Sequence, residues 1–215
     1  MHSQKKNTLP EDNWSQFRCP TGVSGRKVAA SMNKGHWDLT TWGLKYVSIN
    51  PDSIILDAGC GGGKTINRLA KRAFQGKIYG IDCSADMVEY SKQVNKKFVA
   101  ADRVEIVQSA VENTGFRDEF FDLVTAVETY YFWPNLTEAF VEIKRVLKKE
   151  GWFLVISEMI KDGLYEEENA EIIAKTQVQL VELEEMQKML CSAGFSRVKI
   201  YRKRKSYWNA VLAQK

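Results

Sequence analysis

The sequence predicts an α/β fold, doubly wound, in which helices cover both faces of one mainly parallel sheet. Three observations predict it. From residue 50 onward, apolar runs of five to seven residues alternate with longer amphipathic stretches. The runs are apolar on both faces, as strands buried between two helical layers must be. After Gly194 the alternation stops, and two strand-like runs follow with only a short break, the pattern of an antiparallel hairpin. The count is seven strands, five parallel plus a C-terminal antiparallel pair.

The elements follow in order. Residues 1–30 are polar with scattered aromatics, Trp14 and Phe17, and read as a lead-in. Residues 31–49 suit one or two short helices, with Leu39, Trp42, Leu44 and Val47 apolar. Strands are expected at 53–57, 77–82, 104–108, 121–127 and 152–158. Between them, Ile66, Leu69, Ala70, Ala73 and Phe74 mark one face of a helix over 64–75. Ser84 suits the cap of a helix running to about Lys97. Asn135 and Glu138 have capping-box spacing, and Gly151 suits the stop of the helix that follows. A last helix carries Leu183, Met186, Met189, Leu190 and Ala193 and is stopped by Gly194. The hairpin strands are 196–203 and 207–214. Two parts result, a lead-in over 1–49 and an α/β domain over 50–215.

Composition narrows the function. The chain has 215 residues, 44% hydrophobic and 27% charged, enough to bury a core as one domain. No apolar run approaches the length of a membrane span, and the N-terminus lacks the apolar stretch of a secretory signal, so a cytoplasmic location is expected. Cys19, Cys60, Cys83 and Cys191 form no C-x-x-C pair, and the only histidines are His2 and His36, so no metal site is expected. The net charge of +4 gathers in 197–205, RVKIYRKRK, which has six basic residues and no acid. A solvated edge strand accounts for it, and a nucleic-acid patch is the alternative.

The chemistry is concentrated in LDAGCGGGKT, residues 56–65. As a phosphate loop, G-x-x-x-x-G-K-[ST], it needs glycine at position 58, where Ala58 stands, and Asp57 would set a like charge near a polyphosphate. As a dinucleotide fingerprint, G-x-G-x-x-G, it fails from Gly59, which ends on Lys64, and from Gly61, which ends on Ile66. The pattern that fits is D-x-G-x-G-x-G, with Asp57, Gly59, Gly61 and Gly63, after a strand and before a helix. Small residues there let the backbone approach a nucleoside and an amino-acid group. The second strand ends in Asp82, 23 residues beyond Gly59, where an acid can accept hydrogen bonds from ribose hydroxyls.

This loop resembles motif I of the class I S-adenosylmethionine-dependent methyltransferases. Asp82-Cys83-Ser84-x-x-Met87 is similar to that family's D-x-S-x-x-M, in which the methionine packs on adenine. The C-terminal hairpin is similar to its reversed seventh strand. The resemblance covers about residues 50–215. It implies a Rossmann-like sheet of order 3-2-1-4-5-7-6, with S-adenosylmethionine as cofactor and S-adenosylhomocysteine as product. The implied cofactor contacts are Asp57, Ala58, Gly59, Cys60, Gly61, Asp82, Cys83, Ser84, Met87, Ser109, Ala110, Val111 and Glu128. One position departs, because Ser109 stands where the family often has an acid for the adenine amino group.

The substrate side is expected at the carboxyl ends of the strands. There the fourth strand gives way to Glu128-Thr129-Tyr130-Tyr131-Phe132-Trp133-Pro134. Glu128 can favour a sulfonium or act as a base, and the aromatics can offer cation–π contacts. If the loop is extended, alternation turns one of Tyr130 and Tyr131 toward the site. Residues 33–43 resemble N-x-G-H-x-x-L-T-x-W-G, and ETYYFWP resembles E-T-x-Y-F-W-P, two signatures of a bacterial and archaeal group of small methyltransferases. That likeness implies a helical lid over the cofactor, with His36 as base or donor beside Glu128 and Tyr131.

The fourth-strand loop lacks [ND]-P-P-[YF] and Pro-Cys, and little chain is left to cover a macromolecule. The expected reaction is therefore methyl transfer to an O, N or S atom of a small molecule, by a monomer or homodimer with no membrane or nucleic-acid partner. The insertion 159–181, with Glu166, Glu167, Glu168 and Glu171, gives slight support to a cationic substrate. The alternatives are an RNA or protein methyltransferase using 197–205, a non-catalytic cofactor-binding module, and a nucleotide hydrolase built on GGGKT.

Overall fold

The computed structural model describes residues 15–215; the expected lead-in residues 1–14, Trp14 among them, lie outside it. The chain runs α1 (Ser15–Arg18), α2 (Gly22–Gly35), α3 (Trp37–Gly43), β1 (Ile54–Ala58), α4 (Lys64–Arg72), β2 (Lys77–Asp82), α5 (Ala85–Val94), α6 (Lys96–Ala100), β3 (Val104–Gln108) and β4 (Phe121–Val127). A 3-10 turn follows at Tyr130–Phe132. Then come α7 (Leu136–Val146), β5 (Leu147–Ser157), α8 (Leu164–Glu168), α9 (Ala170–Thr176), α10 (Leu183–Ser192), β6 (Ser196–Arg202) and β7 (Asn209–Gln214).

The seven strands form one sheet of order β3-β2-β1-β4-β5-β7-β6. The first five are parallel, with Ala58 beside Ile81 and Asp57 beside Thr125. β7 runs antiparallel to both β5 and β6. The expected α/β architecture and strand order are those of the structure. One core, with Phe121, Phe140, Ile143, Phe153 and Leu190, lies under α7 and α10. The other, with Leu39, Ile55, Ile66, Leu69 and Ile156, lies under α3 and α4. Ile55, Leu56, Ile66 and Leu69 are wholly buried, and each such side chain contributes about 1.5–3 kcal/mol. Among the described residues no helix is long and apolar enough to cross a membrane.

Several boundaries differ from expectation. Residues 22–35 of the lead-in are a helix that buries Val28 and Ala29. Phe74, expected to face inward, is exposed, because α4 ends at Arg72. The helix from Ser84 breaks at Asn95, whose side-chain amide donates to Gly63 O and Ser91 O, and α6 starts afresh beyond it. Asn135 does cap α7, accepting from Thr137 N and Glu138 N. Gly151 stops no helix. α7 ends at Val146, and β5 begins five residues earlier than expected because Leu147 pairs with Phe121 before a shift in register brings Trp152 opposite Leu123. The basic run 197–205 begins on β6, the outermost strand at its end of the sheet.

Candidate active site

The site grows from the turn after β1. Gly59 N and Cys60 N both donate to Ile81 O at 2.9 Å, which ties the loop to the end of β2. The loop must then reverse tightly. Gly59 has φ +74, and a Cβ there would lie 2.9 Å from Thr129 Cβ and overlap its hydroxyl, so only glycine fits. Gly63 has φ +75 and begins α4, pressed against Ser91 of α5. Asp82 braces the other side, its Oδ2 accepting from Gly61 N and its Oδ1 from Ser84 N, both at 2.9 Å. Ser84 caps α5 by accepting from Met87 N at 3.3 Å and donates its own hydroxyl to Pro20 O at 2.5 Å.

The N-terminal helices close the remaining wall. Asn33 Nδ2 donates to Gly62 O at 2.9 Å, so α2 rests directly on the glycine loop. Gly22 N donates to Asp86 at the start of α5. His36 joins α2 to α3, where its carbonyl accepts from Thr40 N and Thr40 Oγ1. These walls bound a cavity that is partly open to solvent. Asp57, Gly59, Cys60, Gly61, Asp82, Met87, Glu128 and His36 all line it. So do Phe132, Trp37 and Arg68. The Arg68 guanidinium stacks 3.4 Å over the Trp37 ring, and its Nη2 donates to Trp37 O. Its buried Nη1 has no partner among the described residues.

The other expected site residues sit elsewhere. Ala58 is fully buried within the sheet. Cys83 is exposed, 3.6 Å from the sulfur of Cys19. Ser109, Ala110 and Val111 stand outside the walls of this cavity; the Ser109 hydroxyl donates to Asn113 O, and Val111 joins the core. The aromatic loop is a 3-10 turn rather than an extended run, so alternation does not apply to it. Tyr130 and Tyr131 are both buried. Tyr130 donates to Met159 O, and Tyr131 donates to Glu128 Oε2 at 3.0 Å from behind the wall. Phe132 faces the cavity, and Trp133 packs against Phe140 in the core.

Burial dominates the electrostatics. Asp57, at the end of β1, accepts from Thr125 Oγ1 at 2.7 Å. Its burial, opposed by that hydroxyl and reinforced by Asp82, raises its pKa to about 7. Burial lifts Glu128 to about 7 as well, against hydrogen bonds from Glu158 N and Tyr131. Asp82 is raised by burial despite its two backbone donors. Burial lowers His36, and Glu158 partly offsets this. Glu158, at the end of β5, was not among the expected site residues. Its backbone N donates to Glu128 Oε1 at 2.6 Å, and its carboxyl, with Glu128 and His36, completes a group of donor atoms within 4.8 Å of one another. The signal lay in its position one residue beyond a strand that neighbours β4, since parallel strands deliver their carboxyl ends to one place.

Residues 56–155 match the family model of a methyltransferase domain. The matched segment is 100 of the 215 residues and is similar to that family. Among curated relatives, the chain is 27% identical over 152 residues to sterol 4-C-methyltransferase strm-1 of Caenorhabditis elegans, covering 71% of this chain and 43% of that protein. It is 30% identical over 114 residues to sarcosine/dimethylglycine N-methyltransferase of Halorhodospira halochloris, covering 53% and 40%. The chain thus spans about two fifths of the length of these relatives. Among solved structures, phosphoethanolamine N-methyltransferase 2 of Haemonchus contortus, in complex with phosphomonomethylethanolamine and S-adenosylhomocysteine, superposes with a TM-score of 0.78 at 17% identity, over 94% of this chain and 60% of that one. A chain from the complex of the Haloferax volcanii Trm112 methyltransferase activator with a methyltransferase gives 0.78 at 17% identity, over 94% and 96%. At such identities the superpositions speak for the fold. The glycine loop, Asp82 and Glu128 lie inside the matched segment, and His36 and Glu158 lie outside it.

Proposed function

We propose that the chain is an enzyme that transfers a methyl group from S-adenosylmethionine to an O, N or S atom of a small molecule. The observation that carries this reading is a cavity walled by Gly59, Gly61, Asp57 and Asp82, residues that lie in the segment similar to methyltransferase domains. S-adenosylmethionine fits those residues. The Gly59–Gly61 backbone leaves room for a nucleoside, and the carboxylate of Asp82 keeps free lone pairs for ribose hydroxyls. Asp57 supplies a negative charge for an ammonium group, and the unpartnered Arg68 Nη1 supplies a donor for a carboxylate. Met87 offers an apolar surface for the base. Two buried carboxyls beside the loop suit such a ligand better than a polyphosphate.

When bound, the cofactor supplies an activated methyl group, and the chain supplies position, charge and exclusion of water. Glu128, held by Tyr131 and the Glu158 N–H, presents a fixed carboxyl at the substrate side. His36 stands near it, its pKa lowered by burial, and Glu158 completes the group that can take a proton from the acceptor. Helices α2 and α3 serve as the lid, resting on the loop through Asn33 and on α5 through Gly22 and Pro20.

Calorimetric titration with S-adenosylmethionine, S-adenosylhomocysteine and Mg-ATP tests the reading, with Asp82→Ala as control. Micromolar binding of the first two, lost in Asp82→Ala, is expected. Binding of Mg-ATP alone would make 56–65 a phosphate loop and end this reading.

A further inference from the structure

Glu128 is buried and Glu158 half-buried, their carboxyls lie within 4.8 Å of each other, and among the described residues no Lys or Arg lies within ion-pair distance of either. Among the described residues, His36 is the base grouped with them, its Nε2 3.9 Å from Glu128 Oε2. Each carboxyl arrives on a different element, at the carboxyl ends of β4 and β5, and the imidazole arrives from the turn between α2 and α3. Two acids brought together without a counter-charge oppose folding unless something positive occupies the space. Glu128 and His36 line the cavity, where Phe132 and Trp37 add aromatic walls, and Glu158 stands next to them.

We propose that the methyl acceptor is a small molecule with a protonated amine, held with its nitrogen among His36, Glu128 and Glu158. This rests on the methyl-transfer reading above. Hydrogen bonding, rather than spacing, favours an ammonium over a metal ion. Acceptors bonded at about 2.8 Å around a tetrahedral ammonium lie about 4.6 Å apart. Ligands bonded at about 2.1 Å around a tetrahedral metal lie about 3.4 Å apart. The His36–Glu128 separation of 3.9 Å lies between these two values, and the whole group fits within 4.8 Å. Both Glu128 oxygens also accept hydrogen bonds already, from Glu158 N and Tyr131 Oη, which fixes the carboxyl to receive a further donor. The same charges turn away a carboxylic acid substrate, whose anion would add a third negative charge to the place.

The proton balance follows. The ammonium gives one proton to the Glu158 carboxylate and becomes a neutral amine with a free lone pair. That pair forms the new nitrogen–carbon bond as the carbon–sulfur bond breaks and its electrons pass to sulfur. The methylated ammonium leaves with one positive charge, and Glu158 releases its proton to water. Across the step one sulfonium is lost and one proton is set free. Glu128, anchored from two sides, keeps the nitrogen in line.

The test uses the full chain saturated with S-adenosylhomocysteine and reads binding, apart from turnover, by thermal shift and calorimetry. The probes are methylamine, 2-phenylethylamine, 2-phenylethanol and 3-phenylpropionate, with MnCl2 and ZnCl2 run separately. At least one amine is expected to bind about tenfold or more tighter than the alcohol, and the carboxylate not to bind. Glu158→Gln is expected to weaken the amine by about tenfold or more, the loss of one close charge, while the affinity for S-adenosylhomocysteine stays within about threefold. That retained affinity also reports that the variant is folded. Binding of no amine, equal binding of alcohol and amine, or amine binding untouched by Glu158→Gln overturns the proposal. So does micromolar binding of Mn2+ or Zn2+ that Glu158→Gln abolishes, which would make the cluster a metal site. Failure of S-adenosylhomocysteine to bind the unsubstituted chain removes instead the methyl-transfer reading beneath it.

Discussion

Asp57→Asn should stabilise the ligand-free chain, and by more at high pH than at low. The Asp57 carboxyl is 2% exposed, has one hydroxyl donor in Thr125, and faces the second acid Asp82. Burial and that neighbour raise its pKa from 3.8 to about 7 in the folded state. Between those values the folded chain binds more protons than the unfolded one, so stability falls as pH rises from about 4 through about 7. At 1.36 kcal/mol per unit, the ionisable group costs the folded state about 4 kcal/mol at pH 8 and about 2 kcal/mol at pH 5. Asparagine keeps the shape and an acceptor for Thr125 and removes the titration. Its amide brings a burial cost of its own, but that cost does not vary with pH. The difference between the two pH values is therefore the clean quantity, about 2–3 kcal/mol in favour of pH 8. For a chain of this size that is about 5–10 °C in Tm. Scanning calorimetry of parent and variant at pH 5 and pH 8, without ligand, measures it. The same substitution should weaken S-adenosylmethionine, because the costly charge is the one that would meet its ammonium group. Equal shifts at both pH values, or a larger gain at pH 5, would show that Asp57 ionises freely in the fold and that the electrostatic reasoning is wrong.

Three further outcomes are expected. Gly59→Ala forces a positive φ on an L-residue and drives a methyl into Thr129, so it should cost about 2–4 kcal/mol in urea unfolding and abolish cofactor binding. Tyr131→Phe removes a donor to the charged form of Glu128, so a pH–rate profile whose acid limb lies near 7 should move its limb to higher pH; an unmoved limb assigns it to another group. Glu142 of α7 accepts from Thr114 N, Thr114 Oγ1 and Arg145. Burial raises its pKa, but the Arg145 and Thr114 hydrogen bonds outweigh burial and hold it below the usual carboxylate value. Glu142→Ala should cost about 2–4 kcal/mol at pH 7 by denaturant titration. The stability Glu142 gives is present above the ordinary carboxylate range and lost as pH falls through its lowered pKa, so the penalty should shrink in acid.

Most of the sheet was legible because its strands are short, apolar runs between punctuated helices. The glycine loop and Asp82 were legible because their constraints are local: a glycine that must turn, an acid at the end of the next strand. What escaped the sequence depended on distance or on weak pattern. Helix α2 buries only Gly25, Val28 and Ala29 and contains two glycines besides, so it shows no apolar stripe to read. The early start of β5 depends on a register shift against Phe121 and Leu123, which no periodicity announces. Glu158 acquires its meaning only when positions 36, 128 and 158 meet in space. The tyrosines misled because a strand was expected to run on into an extended loop, whereas a 3-10 turn takes both of them inward.

The place of β7 bears on how the chain is made. It lies between β5 and β6, all six of its residues buried, yet in sequence it begins 52 residues after β5 ends. At about 5–20 residues per second, a ribosome needs about 3–10 s to supply it. For that interval the newborn chain carries the open edge of β5, lined with Phe153, Leu154, Val155 and Ile156, and the strand made next, β6, is wrong for the position. The exposed Arg197, Lys199 and Arg202 of β6 are gatekeepers in that setting, since charge on an edge strand discourages pairing with a neighbouring chain or a premature partner.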